Sequence, residues 1–253
     1  MSHRTLPEGH EPEDSQPAAI ADSGAIADSG AIAARFAACA AEGRAALVGY
    51  LTAFDPNRAD SLDRLCAACE ASLDLAAELR RRVDVPIVLF SYANPLLRFG
   101  AEALALRASQ AGISGLLLVD LPPEHCAPLR APAAAHGLDW IGLVAPTTTP
   151  QRRAAVLANA SGFIYAVSLT GVTGTALDPN DPRLHQHLAE LRASGPLPVV
   201  VGFGVRSPDD VRALARSADG VVVGSALVEA GQRGTAALGA LVRDLRAATL
   251  RRG

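Results

Sequence analysis

The chain has 253 residues, 49% hydrophobic and 19% charged, a balance that suits one globular domain with an ample core and excludes a disordered protein. A net charge of -3 leaves no electrostatic footprint for nucleic acid, and no apolar run is long enough to span a membrane. Every permanently cationic side chain is arginine; with no lysine, Schiff-base chemistry and a Walker-type phosphate lysine are both excluded.

Residues 1–30 are rich in Pro, Glu, Asp, Ser and Ala and carry the tandem repeat "AIADSGAIADSGAIA", so they are expected to form a disordered, low-complexity extension. One domain is expected over residues 31–253. It opens with a helix, "AIAARFAACAAEGR", that Gly43 terminates. Apolar runs rich in β-branched residues follow: "ALVGYLTAF", "PIVLFSYAN", "GLLLVDLP", "WIGLVAPTT", "GFIYAVSLTG", "PVVVGFGV" and "GVVVGSALV". Their near-continuous hydrophobicity suits strands buried on both faces of a parallel sheet. Helical stretches separate them, expected at 102–111, 127–136, 151–158, 183–193, 208–216 and 235–250. Strand-helix alternation of this kind reads as an α/β barrel or a doubly wound sheet.

Seven strands are visible where a closed (β/α)8 barrel needs eight. The missing one belongs between "ALVGYLTAF" and "PIVLFSYAN", yet that interval holds a single helix, "LDRLCAACEASLDLAAEL". A strand-turn-helix unit takes on the order of thirty residues, and none fits.

Three strand ends late in the chain bear glycine: "SLTGVTG" (168–174), "GFGV" (202–205) and "GSA" (224–226). A lone glycine is a plain turn residue. At successive strand ends, glycines let backbone N–H groups approach an anion where barrels commonly hold phosphate. Ser225 would begin a short helix whose dipole faces the same anion. Carboxylates at strand ends are few: Asp55, Asp120 and Glu124. Asp120 precedes "LPPE" and reads equally as a catalytic group or as a turn cap. Tyr50, Tyr92, Tyr165 and Phe203 lie near strand ends, either lining a pocket for an aromatic ligand or packing the core. The four cysteines, Cys39, Cys66, Cys69 and Cys126, form neither a disulfide framework nor a zinc pattern, and "CAAC" reads as small residues on a helix. "HQH" at 185–187 reads as a solvated helix start. The N-terminus has neither the basic flank nor the apolar stretch of a secretion signal, so a cytoplasmic protein is expected.

Taken in order, "YLTAFDP", "YANPLLRFG", "GLLLVDLPPE", "HGLDWIGLVAPTTT", "GFIYAVSLTGVTG", "VVVGFGV" and "GVVVGSALV" resemble the alpha subunit of tryptophan synthase from about Ala31 to the C-terminus. The resemblance implies a (β/α)8 TIM barrel of that type, here with one βα unit missing. It implies a lyase of tryptophan biosynthesis that cleaves indole-3-glycerol phosphate into indole and glyceraldehyde 3-phosphate. No cofactor or metal is expected for this chain, and a PLP-dependent beta subunit is the implied partner. By motif position, phosphate contacts would fall on Gly174, Gly204, Gly224 and Ser225, with Thr173 on the loop before Gly174. Tyr165 and Phe203 would lie near the indole or glycerol portion. The family's second strand and following loop, with Leu-Glu-Leu-Gly, Ser-Asp-Pro and Asp-Gly-Pro, have no counterpart here. Its catalytic glutamate and aspartate are therefore unmatched, and Glu70, at the junction, lies within a helix. The alternative is a catalytically inactive barrel that binds a phosphate ligand or a beta subunit.

Overall fold

The computed structural model describes residues 30–50, 62–168 and 178–251, the side chains of 62–68 excepted. The strands are β1 Ala46–Gly49, β2 Val88–Ser91, β3 Gly115–Leu118, β4 Asp139–Trp140, β5 Gly142–Val144, β6 Ile164–Val167, β7 Val199–Gly202 and β8 Gly220–Val223. The helices are α1 Gly30–Ala41, α2 Leu62–Arg82, α3 Ala93–Phe99, α4 Ala101–Gln110, α5 Ala127–Ala135, α6 Pro150–Asn159, α7 Pro182–Ala193, α8 Pro208–Leu214, α9 Ser225–Gln232 and α10 Thr235–Ala248.

All pairings between strands are parallel, and they fall into two ladders, β1-β8-β7-β6-β5 and β2-β3-β4. The ladders meet in one run of chain, because β4 and β5 are halves of the "WIGLV" strand that change partner at Ile141. Trp140 is level with Leu116 of β3, while Gly142 is level with Ile164 of β6. At the change-over the backbone stays satisfied: Ile141 N–H donates to the Leu116 carbonyl at 2.9 Å, and Trp140 N–H donates to Ser161 Oγ at 2.8 Å. Among the described residues there are thus seven strand runs, as the apolar pattern indicates, ordered β2-β3-β4/β5-β6-β7-β8-β1.

Burial follows that order. Strands β3, β7 and β8 are buried throughout, whereas β2 is half-buried along its length and β1 runs from buried to exposed. The two half-exposed strands are the ends of the ladder series, and no described strand pairs with their free sides. In the interval, α2 is one continuous helix of 21 residues.

Alternation along the strands sorts side chains into two sets. Ala46, Leu117, Ile141, Tyr165, Val200 and Val222 share the interior cluster. Their neighbours face outward: Val199, Val201, Val221 and Val223 pack on Leu184, Leu188 and Leu245 of α7 and α10, while Leu116, Leu118 and Trp140 pack on Leu96, Leu104 and Leu129. Helix α1 sends Ile32, Phe36 and Cys39 into the interior cluster. Phe36 meets Phe163, the residue before β6, with ring centroids 5.8 Å apart, so α1 closes the end where strands begin. The opposite end, where the strands finish, is left for the loops.

"HQH" is not the solvated start expected of it. His185 Nδ1 lies 2.7 Å from Ser217 Oγ and its Nε2 3.0 Å from the Pro179 carbonyl, tying α7 to two neighbouring loops. His187 is half-buried, because α7 turns this side toward α6 and Arg153.

Candidate functional site

The glycine corners of β7 and β8 come together because those strands are neighbours. Val200 is level with Gly220 and Val201 with Val221, so the corners that follow, at Gly204 and Gly224, leave adjoining strands at the same end of the barrel. Ser225 begins α9, whose N-cap is Gly224. The Leu227 and Val228 N–H groups donate back to the Gly224 carbonyl at 2.8 and 3.1 Å. The N–H groups of Ser225 and Ala226 therefore head the helix without intrahelical acceptors, at the positive end of its dipole. A Cβ on Gly224 would come within 3.0 Å of Tyr50 Cδ1, so a side chain there would press on the aromatic wall.

The β7 corner is held in an uncommon conformation. Phe203 is the one non-glycine residue with positive φ among those described, at 80°, and Gly204 follows at 76°. Left-handed backbone is strained for a bulky aromatic residue and persists only where its surroundings enforce it. Three ties do so. Ser168 Oγ donates to the Phe203 carbonyl at 2.7 Å. The N–H groups of Arg206 and Ser207 both donate to Asp210 Oδ2 at 2.9 Å, as part of a capping box that starts α8. Arg206 Nη2 donates to both carboxylate oxygens of Glu229, at 2.7 and 3.0 Å, binding the β7 corner to α9.

Beside these corners stands an aromatic wall. Tyr165 is buried within the barrel and meets half-exposed Phe203 edge to face, with centroids 6.1 Å apart. Tyr50, at the end of β1, meets Phe90 of β2 similarly at 5.4 Å. Burial, reinforced by the neighbouring Tyr50, pushes the Tyr165 hydroxyl well above its ordinary pKa, so it stays a neutral phenol. The wall is apolar and uncharged, suited to a flat aromatic ligand beside an anion.

Five of the seven residues that the family resemblance assigns to the site, Tyr165, Phe203, Gly204, Gly224 and Ser225, lie at one end of the barrel. Thr173 and Gly174 lie outside the described residues, as does Asp55. Tyr92 is exposed at the start of α3. Asp120 accepts a hydrogen bond at 2.7 Å from the Ala93 N–H, the first of α3, so its carboxylate ties the β3 end to the helix after β2. Glu124 is exposed and 3.8 Å from Arg152. The Ser168 hydroxyl and the Arg206–Glu229 pair were not singled out in the sequence. Ser168 opens the "SLTGVTG" motif, but nothing in a string of letters says that its hydroxyl reaches residue 203. Among the described residues no cluster of His, Cys, Asp or Glu could hold a metal ion. A cavity of about 260 Å³ opens elsewhere, beside the change of ladder, between Asp120, Pro123, Trp140 and Arg152. It includes none of the glycine corners.

The family model described as "Tryptophan synthase alpha chain" matches residues 66–248. The tryptophan synthase alpha chain of Gluconacetobacter diazotrophicus is 43% identical over 232 residues, covering 77% of this chain and 84% of that one. The chain belongs to the tryptophan synthase alpha chain family. Solved structures agree. The tryptophan synthase subunit alpha of Legionella pneumophila str. Paris superposes with a TM-score of 0.74 at 27% identity, covering 86% of this chain and 97% of that one. Tryptophan synthase of Mycobacterium tuberculosis, in space group F222, gives 0.73 at 31% identity, covering 87% and 98%. The parallel strands described above are thus those of an alpha-type TIM barrel, and the family is one of lyases in tryptophan biosynthesis. No described helix is long and apolar enough to cross a membrane.

Proposed function

We propose that the barrel takes indole-3-glycerol phosphate and cleaves it, as an alpha-type lyase, into indole and glyceraldehyde 3-phosphate. The observation that carries this reading is that the glycine corners of the neighbouring strands β7 and β8 leave the same end of the barrel beside the Tyr165–Phe203 pair, which supports an anion corner next to an aromatic wall. Thr173 and Gly174 are assigned to the loop side of the same phosphate on their motif alone. A PLP-dependent beta subunit is the partner that would receive the indole, in the cytoplasm.

A second reading, a barrel that binds the phosphate ligand or the beta subunit without turning the ligand over, is favoured by the interval between β1 and β2. Cleavage requires groups that move protons at indole C3, at N1 and at the side-chain hydroxyl, and positioned groups of this kind contribute about 10²- to 10⁴-fold each. Asp120, the carboxylate nearest a described strand end, is engaged with the Ala93 N–H. The alignment with the G. diazotrophicus chain spans 232 residues, yet 77% of 253 is only about 195, which leaves about 37 positions without a counterpart here. One strand-turn-helix unit takes about that many.

Indole release from indole-3-glycerol phosphate, measured alone and with a beta subunit, separates the readings. Turnover above a buffer blank supports the lyase. A blank rate, together with a melting temperature that rises on adding glycerol 3-phosphate, supports the silent binder. Neither turnover nor a rise refutes both. Activity that appears only after a strand-loop segment is inserted between Ala71 and Ser72 would trace the defect to that interval.

A further inference from the structure

We infer that Ser168 is a positioning residue for the anion: through the Phe203 carbonyl, its hydroxyl aims the Gly204 N–H at the β8 corner. The inference rests on the phosphate-site reading above. Ser168 directly follows β6 and is 1% exposed. Its main chain is fixed to β7, since its N–H donates to the Gly202 carbonyl at 2.9 Å, and its Oγ donates to the next carbonyl along, that of Phe203, at 2.7 Å. Strand β7 lies between β6 and β8. A carbonyl drawn toward β6 has a definite consequence across its own peptide. The bond from Phe203 to Gly204 is planar and, with no proline involved, trans, so its C=O and N–H point in opposite directions. Holding the oxygen on the β6 side therefore turns the Gly204 N–H toward β8, where Gly224 and the N-terminus of α9 stand. Among the described residues no hydrogen bond engages that N–H, which leaves it available to a ligand.

The positive φ of Phe203 gives the tie its purpose. An aromatic residue at φ 80° relaxes toward negative φ unless something opposes it. Relaxation rotates the peptide that follows and swings the Gly204 N–H away from the anion. The Ser168 hydroxyl thus acts without touching the ligand. Arg206 and Asp210 fix the chain beyond Gly204 but leave this peptide unbonded.

Calorimetric titration of the full chain with inorganic phosphate tests the inference, alongside the melting temperature without phosphate. Ser168→Ala, and Ser168→Cys as a variant of similar volume with a weak donor, are expected to bind phosphate about tenfold more weakly. Ser168→Thr, which retains the hydroxyl, is expected to restore affinity to within about twofold. A merely structural serine would change the melting temperature and leave affinity untouched in whichever variants fold. Ala or Cys variants that bind as tightly as the wild type overturn the role of Ser168. A wild-type chain that takes up no phosphate overturns the anion site itself and this inference with it.

Discussion

The hydroxyl of Tyr165 occupies the space that a side chain on Gly202 would need. A Cβ there would overlap the phenol oxygen and lie 2.9 Å from Val222 Cβ on the next strand. Glycine at the end of β7 is what allows a tyrosine to stand upright in the barrel at this level. Gly202→Ala should therefore destabilise the fold by about 1–3 kcal/mol, the usual cost of overpacking a filled core. Tyr165→Phe in the same chain removes the overlapping oxygen and should recover part of the loss. Urea denaturation of the two single variants and the double variant measures the coupling, and strictly additive effects would contradict the geometry.

Strands such as β7 and β8 were legible because both faces of each are buried, which writes an unbroken apolar word, "PVVVG" or "GVVVG". Helix α8 was legible because Ser207 and Pro208 in "RSPDDVRAL" are favoured residues for an N-cap and a first helical position, the places they take. The change of partner at Ile141 was not, because it depends on Ser161, twenty residues later, offering a side-chain acceptor to Trp140. Helix α3 was hidden inside "SYANPLLRF", whose first half reads as strand and whose start is fixed by Asp120, from a different βα unit. Within the site, glycine positions could be read from their recurrence at strand ends. The strain at Phe203 could not, since a backbone angle leaves no mark on residue type when the residue is not glycine.

Ser161 supplies a second measurable consequence. Its Oγ is the acceptor for the buried Trp140 N–H, and its own N–H donates to the Trp140 carbonyl at 2.8 Å. Ser161→Ala keeps the backbone bond but strips the acceptor, leaving an unsatisfied donor at a cost of about 1–3 kcal/mol. Trp140 is the chain's only tryptophan, so its fluorescence reports the place directly. The expected result is a lower unfolding midpoint with an altered Trp140 emission; an unchanged midpoint would show that the ladder change-over does not depend on this hydroxyl.

His187 gives the stability a pH dependence of definite sign. Burial, chiefly, lowers its pKa, the Arg153 guanidinium lowers it further, and Glu190 opposes them weakly. Its Nε2 is buried without a hydrogen-bond partner among the described residues. A histidine whose folded pKa lies below its unfolded value of about 6.5 stabilises the fold in its neutral form. That contribution is complete above the unfolded pKa and is lost as pH falls below it, because the unfolded chain takes the proton more readily. Melting temperatures at pH 7.5 and 5.5 should therefore differ more for the wild type than for His187→Gln. Equal differences would mean that His187 is solvated in both states.

The half-exposed strands at the ends of the ladder series carry the last prediction. Val88–Ser91 of β2 pair with β3 on one side and with no described strand on the other, whereas Val199–Gly202 of β7 are paired on both sides and fully buried. An amide exchanges through the local opening that frees it, and openings are easiest where fewer contacts must be broken. Native-state hydrogen exchange should accordingly be about tenfold or more faster across β2 than across β7. An edge left unpaired is a template for pairing with another chain. A Val88→Arg variant should tolerate the charge at this half-exposed edge better than Val200→Arg tolerates it in the buried interior, judged by soluble yield and melting temperature. Slow exchange in β2, equal to that in β7, would show that the interval after β1 supplies this edge with a partner.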